Sequence, residues 1–225
     1  MIVVTGASRG LGHAIAQRLL SNNIEVVGLA RNVEHLDFEN FACDVSSYKE
    51  TQEVVQKLRK KKRSIKGLIN AAGIASMNLA LTTPEKTTQK IIDVNLAGTI
   101  FCCQLFSPLM IRKKEGVIIN FSTIAVPLAL RGESVYIASK AGIEGFTRSF
   151  AREVSDFNIR VNCIAPGPIS TDLIKGVSDN QIRKIIDQQI IRKKYSPEEV
   201  CDLVEILLDE KTSSLSGQVL SVGGY

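Results

Sequence analysis

The sequence has 225 residues, 44% of them hydrophobic, and a formal net charge of +5. That length suits one domain with a sizeable core rather than two average domains. No apolar run nears the ~20 residues needed to cross a bilayer, and the N-terminus, MIVVTGAS, lacks the charged and long apolar regions of a signal peptide, so neither a membrane partner nor a leader is expected. Cys43, Cys102, Cys103, Cys163 and Cys201 show no CxxC spacing, and His13 and His35 are the only histidines. This pattern fits reduced thiols in a cytoplasmic protein and leaves no metal site to expect.

Taken in chain order, short apolar runs alternate with longer amphipathic ones. Ile2–Thr5 reads as a buried strand, 10–21 as a helix and Glu25–Ala30 as the second strand. The stretch from Arg31 to the third strand, Phe41–Cys43, is too short for a full crossover helix. A helix over 47–62 ends in the basic run Arg59–Arg63. With few aromatics nearby to stack on bases, that run reads as a solvated helix end complementing the dipole, and no nucleic-acid partner is expected. Strands at Gly67–Asn70, Gly116–Phe121, Arg160–Ile164 and Gln218–Val222 alternate with helical patterns over 84–112, 134–155 and 197–208. Continuous apolar strands separated by helices predict an α/β fold, a doubly wound parallel sheet of about seven strands with helices on both faces, in a single domain over 1–225. Ligands of such sheets bind at the C-terminal ends of the strands. An insertion at about 166–195, carrying SDNQIRKIIDQQI, enters there and is expected to form a substrate lid.

The first strand is followed by Thr5-Gly6-Ala7-Ser8-Arg9-Gly10-Leu11-Gly12 and an apolar-periodic helix. Glycines allow a sharp turn and close approach to a ligand, and the helix N-terminus behind them offers unpaired amides to a pyrophosphate. The spacing is G-x-x-x-G-x-G rather than G-x-G-x-x-G. The second strand ends at Ala30, where a carboxylate would bind the ribose 2′-hydroxyl of NAD, and Arg31 follows. A guanidinium there can pair with a 2′-phosphate, with Arg9 approaching the same group, so the expected cofactor is NADP(H).

These residues resemble the short-chain dehydrogenase/reductase family along the whole chain. TGASRGLG is similar to the family's glycine motif, Asp44-Val45 to its adenine-contacting pair, and Asn70-Ala71-Ala72-Gly73 to NNAG with Ala71 in place of the second Asn. Asn95 in DVNLAG falls on the family's catalytic asparagine, Tyr136 and Lys140 on its YxxxK pair, and Pro166–Asp172 on the segment bordering the nicotinamide. The resemblance implies a Rossmann fold, with cofactor contacts at Gly6, Ser8, Arg9, Gly10, Leu11, Gly12, Arg31, Asp44, Val45, Asn70, Ala72, Gly73, Tyr136, Lys140, Pro166, Gly167, Ile169 and Thr171. The stretches RVNCIAPGPISTDLI, SPEEVCDLVEILLDE and SGQVLSVGG are similar to the family branch that reduces 3-oxoacyl-[acyl-carrier-protein]. That likeness implies NADPH-dependent formation of a (3R)-hydroxyacyl thioester in fatty acid synthesis, and a homotetramer. Another small carbonyl or alcohol, such as a sugar, steroid or secondary metabolite, is the alternative substrate. A silent dinucleotide sensor is a third reading, against which the intact Asn95, Tyr136 and Lys140 argue.

The chemistry follows from the groups. Tyr136 is the expected acid, but a free phenol titrates near ~10. Lys140 lies one helical turn onward on the same face, and its ammonium is expected to lower that value. By the family analogy, Asn95 holds a water linking Lys140 to solvent. A further hydroxyl should polarise the substrate carbonyl. Thr123, thirteen residues before Tyr136, takes the place where the family usually has the second serine of a pair, with Ser122 beside it. Thr123 is assigned the role, and Ser122 takes it if a bulge shifts the register. Val126–Glu133 and Ile174–Ile191 are expected to face the substrate. Lys113 and Lys114 are either a dock for an acidic carrier protein or plain surface charge. Cys102 and Cys103 belong to the core or a subunit interface.

Overall fold

The computed structural model describes residues 1–171 and 177–225. Seven parallel strands form one sheet: β1 (Ile2–Thr5), β2 (Val26–Ala30), β3 (Asn40–Ala42), β4 (Gly67–Asn70), β5 (Gly116–Phe121), β6 (Ile159–Pro166) and β7 (Val219–Val222), in the order β3-β2-β1-β4-β5-β6-β7. Parallel neighbours cannot be joined by hairpins, so the connections cross the faces of the sheet and bury the strands on both sides. β1, β2 and β4 are accordingly buried at every residue.

Strand alternation divides the core in two. Val3, Leu29, Leu68, Ile118 and Val161 meet Leu58 of α2 (Tyr48–Lys60), Phe106 of α4 (Gly98–Ile111) and Phe150 of α6 (Ser134–Val154). Ile2, Val4, Ile69, Ile119 and Ile164 meet Ile15 and Leu19 of α1 (Gly10–Ser21) and Val204 and Leu207 of α8 (Pro197–Leu208). Each such side chain removed from water contributes about 1.5–3 kcal/mol. The strand order reverses at β1, with β2 and β3 to one side and β4 to β7 to the other. The reversal opens a crevice beyond the C-terminal ends of β1 and β4, where Thr5 is in register with Asn70.

Most elements lie within two residues of their predicted ends, and the differences bear on the site. β6 continues past Ile164 to Pro166, which carries the following loop to the crevice. The predicted helix over 84–112 is a rod of three parts: α3 (Glu85–Ile91), a π-helical turn (Ile92–Ala97) and α4. Contrary to the expectation from uninterrupted apolar runs, this rod is long and apolar enough to cross a membrane by length and composition alone. It is instead a core helix, with Cys102, Cys103, Phe106 and Met110 fully buried against the sheet. This places Cys102 and Cys103 in the core. A short helix, α5 (Ala125–Leu128), follows β5 and is not foreseen by the sequence pattern.

Within the insertion, α7 (Asp179–Asp187) starts with a capping box between Ser178 and Gln181. The Ser170 amide donates to the Tyr195 carbonyl and the Tyr195 amide to that of Pro168, which closes the base of the insertion on the end of β6. Residues 172–176, including Asp172 and Ile174 of the predicted segments, lie outside the described residues. The basic run at the end of α2 is engaged by acids: Lys61 pairs with Glu39 at 2.9 Å, and Arg63 with Glu39 at 3.1 Å.

Candidate active site

Beyond the strand ends lies a cavity of about 460 Å³. The glycine loop forms one end of it. Gly6 has φ +68°, and a Cβ there would lie 2.9 Å from the backbone of Ala72. A Cβ on Gly12 would collide with the Gly6 carbonyl. The Thr5 hydroxyl accepts from the Ala72 amide at 3.0 Å, tying this loop to the one after β4. The result is a backbone cradle at the N-terminus of α1 that only glycines can line closely, as a pyrophosphate requires. Ser8, Arg9, Gly10, Leu11 and Arg31 border the same end, and Asp44 and Val45 border the adjoining wall. Asp44 is held there by the Ser46 amide and hydroxyl, which donate to its carboxylate at 3.0 and 2.6 Å. Cys43 also borders this wall, a contact that sequence reading missed, because its thiol carries no motif.

Ala72 and Thr171 border the cavity beside the glycine loop, and Gly73, Thr123, Tyr136, Lys140, Pro166, Gly167 and Ile169 complete its wall. Among the predicted site residues, Asn70 and Asn95 do not border the cavity. Strand alternation turns Asn70 into the core, where its amide nitrogen donates to Asn120 Oδ1 at 2.8 Å and to the Cys103 sulfur at 3.3 Å. Its side-chain amide is thus spent on the core rather than on the cavity. Asn95 is fully buried in the π-helical turn. Its Oδ1 accepts from the Ile74 amide at 2.9 Å, while Nδ2 donates to the Ile74 carbonyl at 2.9 Å and to the Ser139 hydroxyl at 3.0 Å. Both donor hydrogens of the amide are thus engaged, and its side chain clamps the loop after β4 onto α6 rather than reaching toward solvent. Ser139 in turn donates to the Tyr136 carbonyl at 2.6 Å. Its signal in the sequence is spacing: a small polar residue one turn past the tyrosine and next to Lys140.

Beside the cavity, β5 ends and its two hydroxyls part. Ser122 donates to Glu144 Oε1 at 2.6 Å, toward the body of α6. Thr123 receives the Ala125 amide at 3.2 Å, and its hydroxyl is near enough to the Tyr136 phenol to favour the phenolate. Both residues border the cavity, just beyond the regular β5–β6 pairing that ends at Phe121.

The electrostatics depart from expectation. Burial and the nearby Glu133 carboxylate push the Tyr136 phenol up, and they outweigh the Thr123 hydroxyl. The expected lowering by Lys140 is absent because the ammonium donates to the Phe121 carbonyl at 2.8 Å and lies 5.9 Å from the centre of the tyrosine ring. Burial pulls Lys140 itself down to about 8. That depression sets a pH dependence. Between about pH 8 and the ordinary lysine value of 10.5, the unfolded chain holds a proton that the folded chain has released. Stability must rise with pH across that window. The unfolding midpoint of the cofactor-free protein should therefore climb from pH 8 toward pH 10 relative to Lys140→Met, measured by urea denaturation. Parallel profiles would refute the buried, neutralising lysine.

The substrate-side wall is apolar, formed by Met77, Leu130, Val177, Ile182 and Ile185, with Glu133 the one carboxylate among the described residues there. Of the predicted substrate-facing segments, 126–133 and the described part of 174–191 both contribute. Lys113 and Lys114 do not. They precede the first residue of β5, at the opposite ends of the strands from the cavity.

A family model described as short chain dehydrogenase matches residues 1–182. The chain belongs to the short-chain dehydrogenase/reductase family. It is 30% identical to 3-oxoacyl-[acyl-carrier-protein] reductase FabG of Staphylococcus epidermidis, over 99% of this chain and 96% of that protein. Carbonyl reductase family member 4 of Xenopus tropicalis is 34% identical, over 98% of this chain and 95% of its own length. Among solved structures, 4-hydroxyisoleucine dehydrogenase complexed with NADH superposes with a TM-score of 0.92 at 28% identity, covering 99% of this chain and 97% of that one. As a short-chain dehydrogenase/reductase the protein is an oxidoreductase interconverting carbonyl and alcohol groups with a nicotinamide dinucleotide. The glycine cradle and the cavity running from it to Tyr136 fit that cofactor.

Proposed function

We propose that the protein is an NADPH-dependent reductase that converts 3-oxoacyl-[acyl-carrier-protein] to the (3R)-hydroxyacyl thioester, acting in the cytoplasm as a homotetramer. The observation that carries this reading is a continuous cavity with two arginines at its cofactor end and an apolar wall beyond Tyr136. The full-length likeness to FabG, a 3-oxoacyl-[acyl-carrier-protein] reductase, supports the choice of substrate.

When bound, the dinucleotide supplies the hydride. The chain's own groups hold the carbonyl and supply the proton. Tyr136, protonated at neutral pH because burial raises it, donates its phenolic hydrogen to the carbonyl oxygen as negative charge develops there. The Thr123 hydroxyl donates a second hydrogen bond to that oxygen. Lys140, which donates to the Phe121 carbonyl with one hydrogen, would offer the others to the cofactor ribose and to the new phenolate. Asn95 is a positioning residue: through Ile74 and Ser139 it fixes the loop after β4 against the helix that carries Tyr136. Ile182 and Ile185 of α7 wall the cavity, which supports the insertion as a substrate lid.

The preference for NADPH rests on the end of β2. Ala30 is buried and Arg31 is exposed at the cavity rim, so a 2′-phosphate would meet a guanidinium and no carboxylate. Arg31→Asp should raise the KM for NADPH well above that for NADH in steady-state assays. An unchanged preference refutes the assignment.

Oxidation of NADPH by the purified protein with acetoacetyl thioester, beside a panel of aldehydes and ketones, tests the activity. Turnover confined to the non-thioester carbonyls would replace this reading with the alternative, an NADP-dependent enzyme for another small carbonyl or alcohol. The name of the Xenopus relative, a carbonyl reductase, keeps that alternative in view.

A further inference from the structure

The proposed chemistry leaves one charged group of the cavity without a task. Glu133 is the N-cap of α6, one turn before Tyr136, and only 6% of it is exposed. Its backbone is held at both ends: its amide donates to the Leu130 carbonyl at 3.3 Å and its carbonyl accepts from the Ile137 amide at 2.7 Å. Its side chain does not cap the helix, although an N-cap is where a short polar side chain would normally be spent on the free amides. Among the described residues, no donor hydrogen-bonds its carboxylate and no cation pairs with it. The carboxylate borders the cavity beside Leu130, and its charge is felt at the Tyr136 phenol. Among the described residues, the nearby Lys140 donates to the Phe121 carbonyl and does not pair with Glu133. Arg9 and Arg31 stand at the cofactor end.

A buried carboxylate in an apolar wall tolerates a neutral neighbour and repels a second carboxylate, because the low local dielectric leaves the repulsion poorly screened. We propose that Glu133 is a specificity-determining residue that excludes substrates bearing a free carboxylate next to the reacting carbonyl and admits their neutral esters and thioesters. Resting on the thioester reading above, this deepens it: the protein would reduce a 3-oxoacyl group only once the acid has been esterified. The class of reaction that supplies its substrate is then acyl transfer or condensation on a thioester, not the release of a free 3-oxo acid.

The test compares acetoacetate, ethyl acetoacetate and the acetoacetyl thioester of N-acetylcysteamine with wild-type protein and Glu133→Gln, using NADPH at pH 7. Wild type should favour the ester over the acid. In the variant the ester-to-acid ratio of kcat/KM should narrow at least about tenfold, carried by a lower KM for acetoacetate. That ratio is insensitive to any change in Tyr136 acidity, because both substrates meet the same phenol. A second readout needs no turnover: acetoacetate should bind the variant with NADP+ at least about tenfold more tightly than wild type by calorimetry. An unchanged ratio together with unchanged acetoacetate binding overturns the role of Glu133. Reduction of the ethyl ester but not of the thioester overturns the thioester reading instead, and the ester-to-acid ratio still decides Glu133.

Discussion

Tyr136→Phe should lower kcat by about 10³-fold, within the range for losing a positioned acid, while NADPH binds with nearly wild-type affinity. The substitution removes one oxygen from a ring that is otherwise buried, so neither packing nor the glycine cradle at the far end of the cavity is disturbed. What disappears is the hydrogen destined for the substrate oxygen. The local electrostatics make the phenol a stored proton: burial and Glu133 hold it well above neutrality, and the Thr123 hydroxyl opposes them only in part. Such a group is suited to giving a proton during carbonyl reduction. Taking one up during alcohol oxidation first requires the phenolate, which the cofactor-free cavity disfavours. Cofactor titration by fluorescence, beside single-turnover reduction, separates the two properties. A variant retaining most of its turnover would remove Tyr136 from the mechanism.

The parts of this architecture that are legible in the sequence are those dictated by backbone geometry and burial. Continuous apolar strands announce a sheet covered on both faces, and the glycine at position 6 announces a turn with positive φ packed on Ala72. The tyrosine and lysine fall on one helix face by their spacing alone. The parts that are not legible depend on partners distant in sequence. Asn95 meets Ile74, 21 residues away, and Ser139, 44 residues away, and no local pattern announces such a clamp. Asn70 looks like its neighbours in the motif, yet one step of strand alternation sends it to Asn120 and Cys103. The upward displacement of Tyr136 could not be read from the lysine four residues on, because the carbonyl of Phe121, on another element, claims that ammonium. Glu133 is the clearest case. Its type and position are plain in the sequence, but its lack of a paired cation among the described residues is a property of the assembled cavity.

Thr123→Ala and Ser122→Ala should separate catalysis from support at two adjacent positions. Both residues border the cavity, but Thr123 is the one that acts on the phenol, and removing its hydroxyl should lower kcat by about 10²–10³-fold, the usual consequence of losing one oxyanion donor. Thr123→Ser restores the donor without the methyl and should recover most of that loss, which a purely structural role would not predict. Ser122 instead spends its hydrogen on Glu144, whose other oxygen lies 3.5 Å from Arg148. Ser122→Ala leaves that largely buried carboxylate without its closest donor, so it should destabilise the fold by about 1–3 kcal/mol and leave kcat within a few-fold of wild type. The two variants thus move different observables, turnover for one and the urea midpoint for the other. If Ser122→Ala proves the inactive variant, the end of β5 must turn in solution so that its hydroxyls exchange faces, and the proposed geometry of the carbonyl site fails with it.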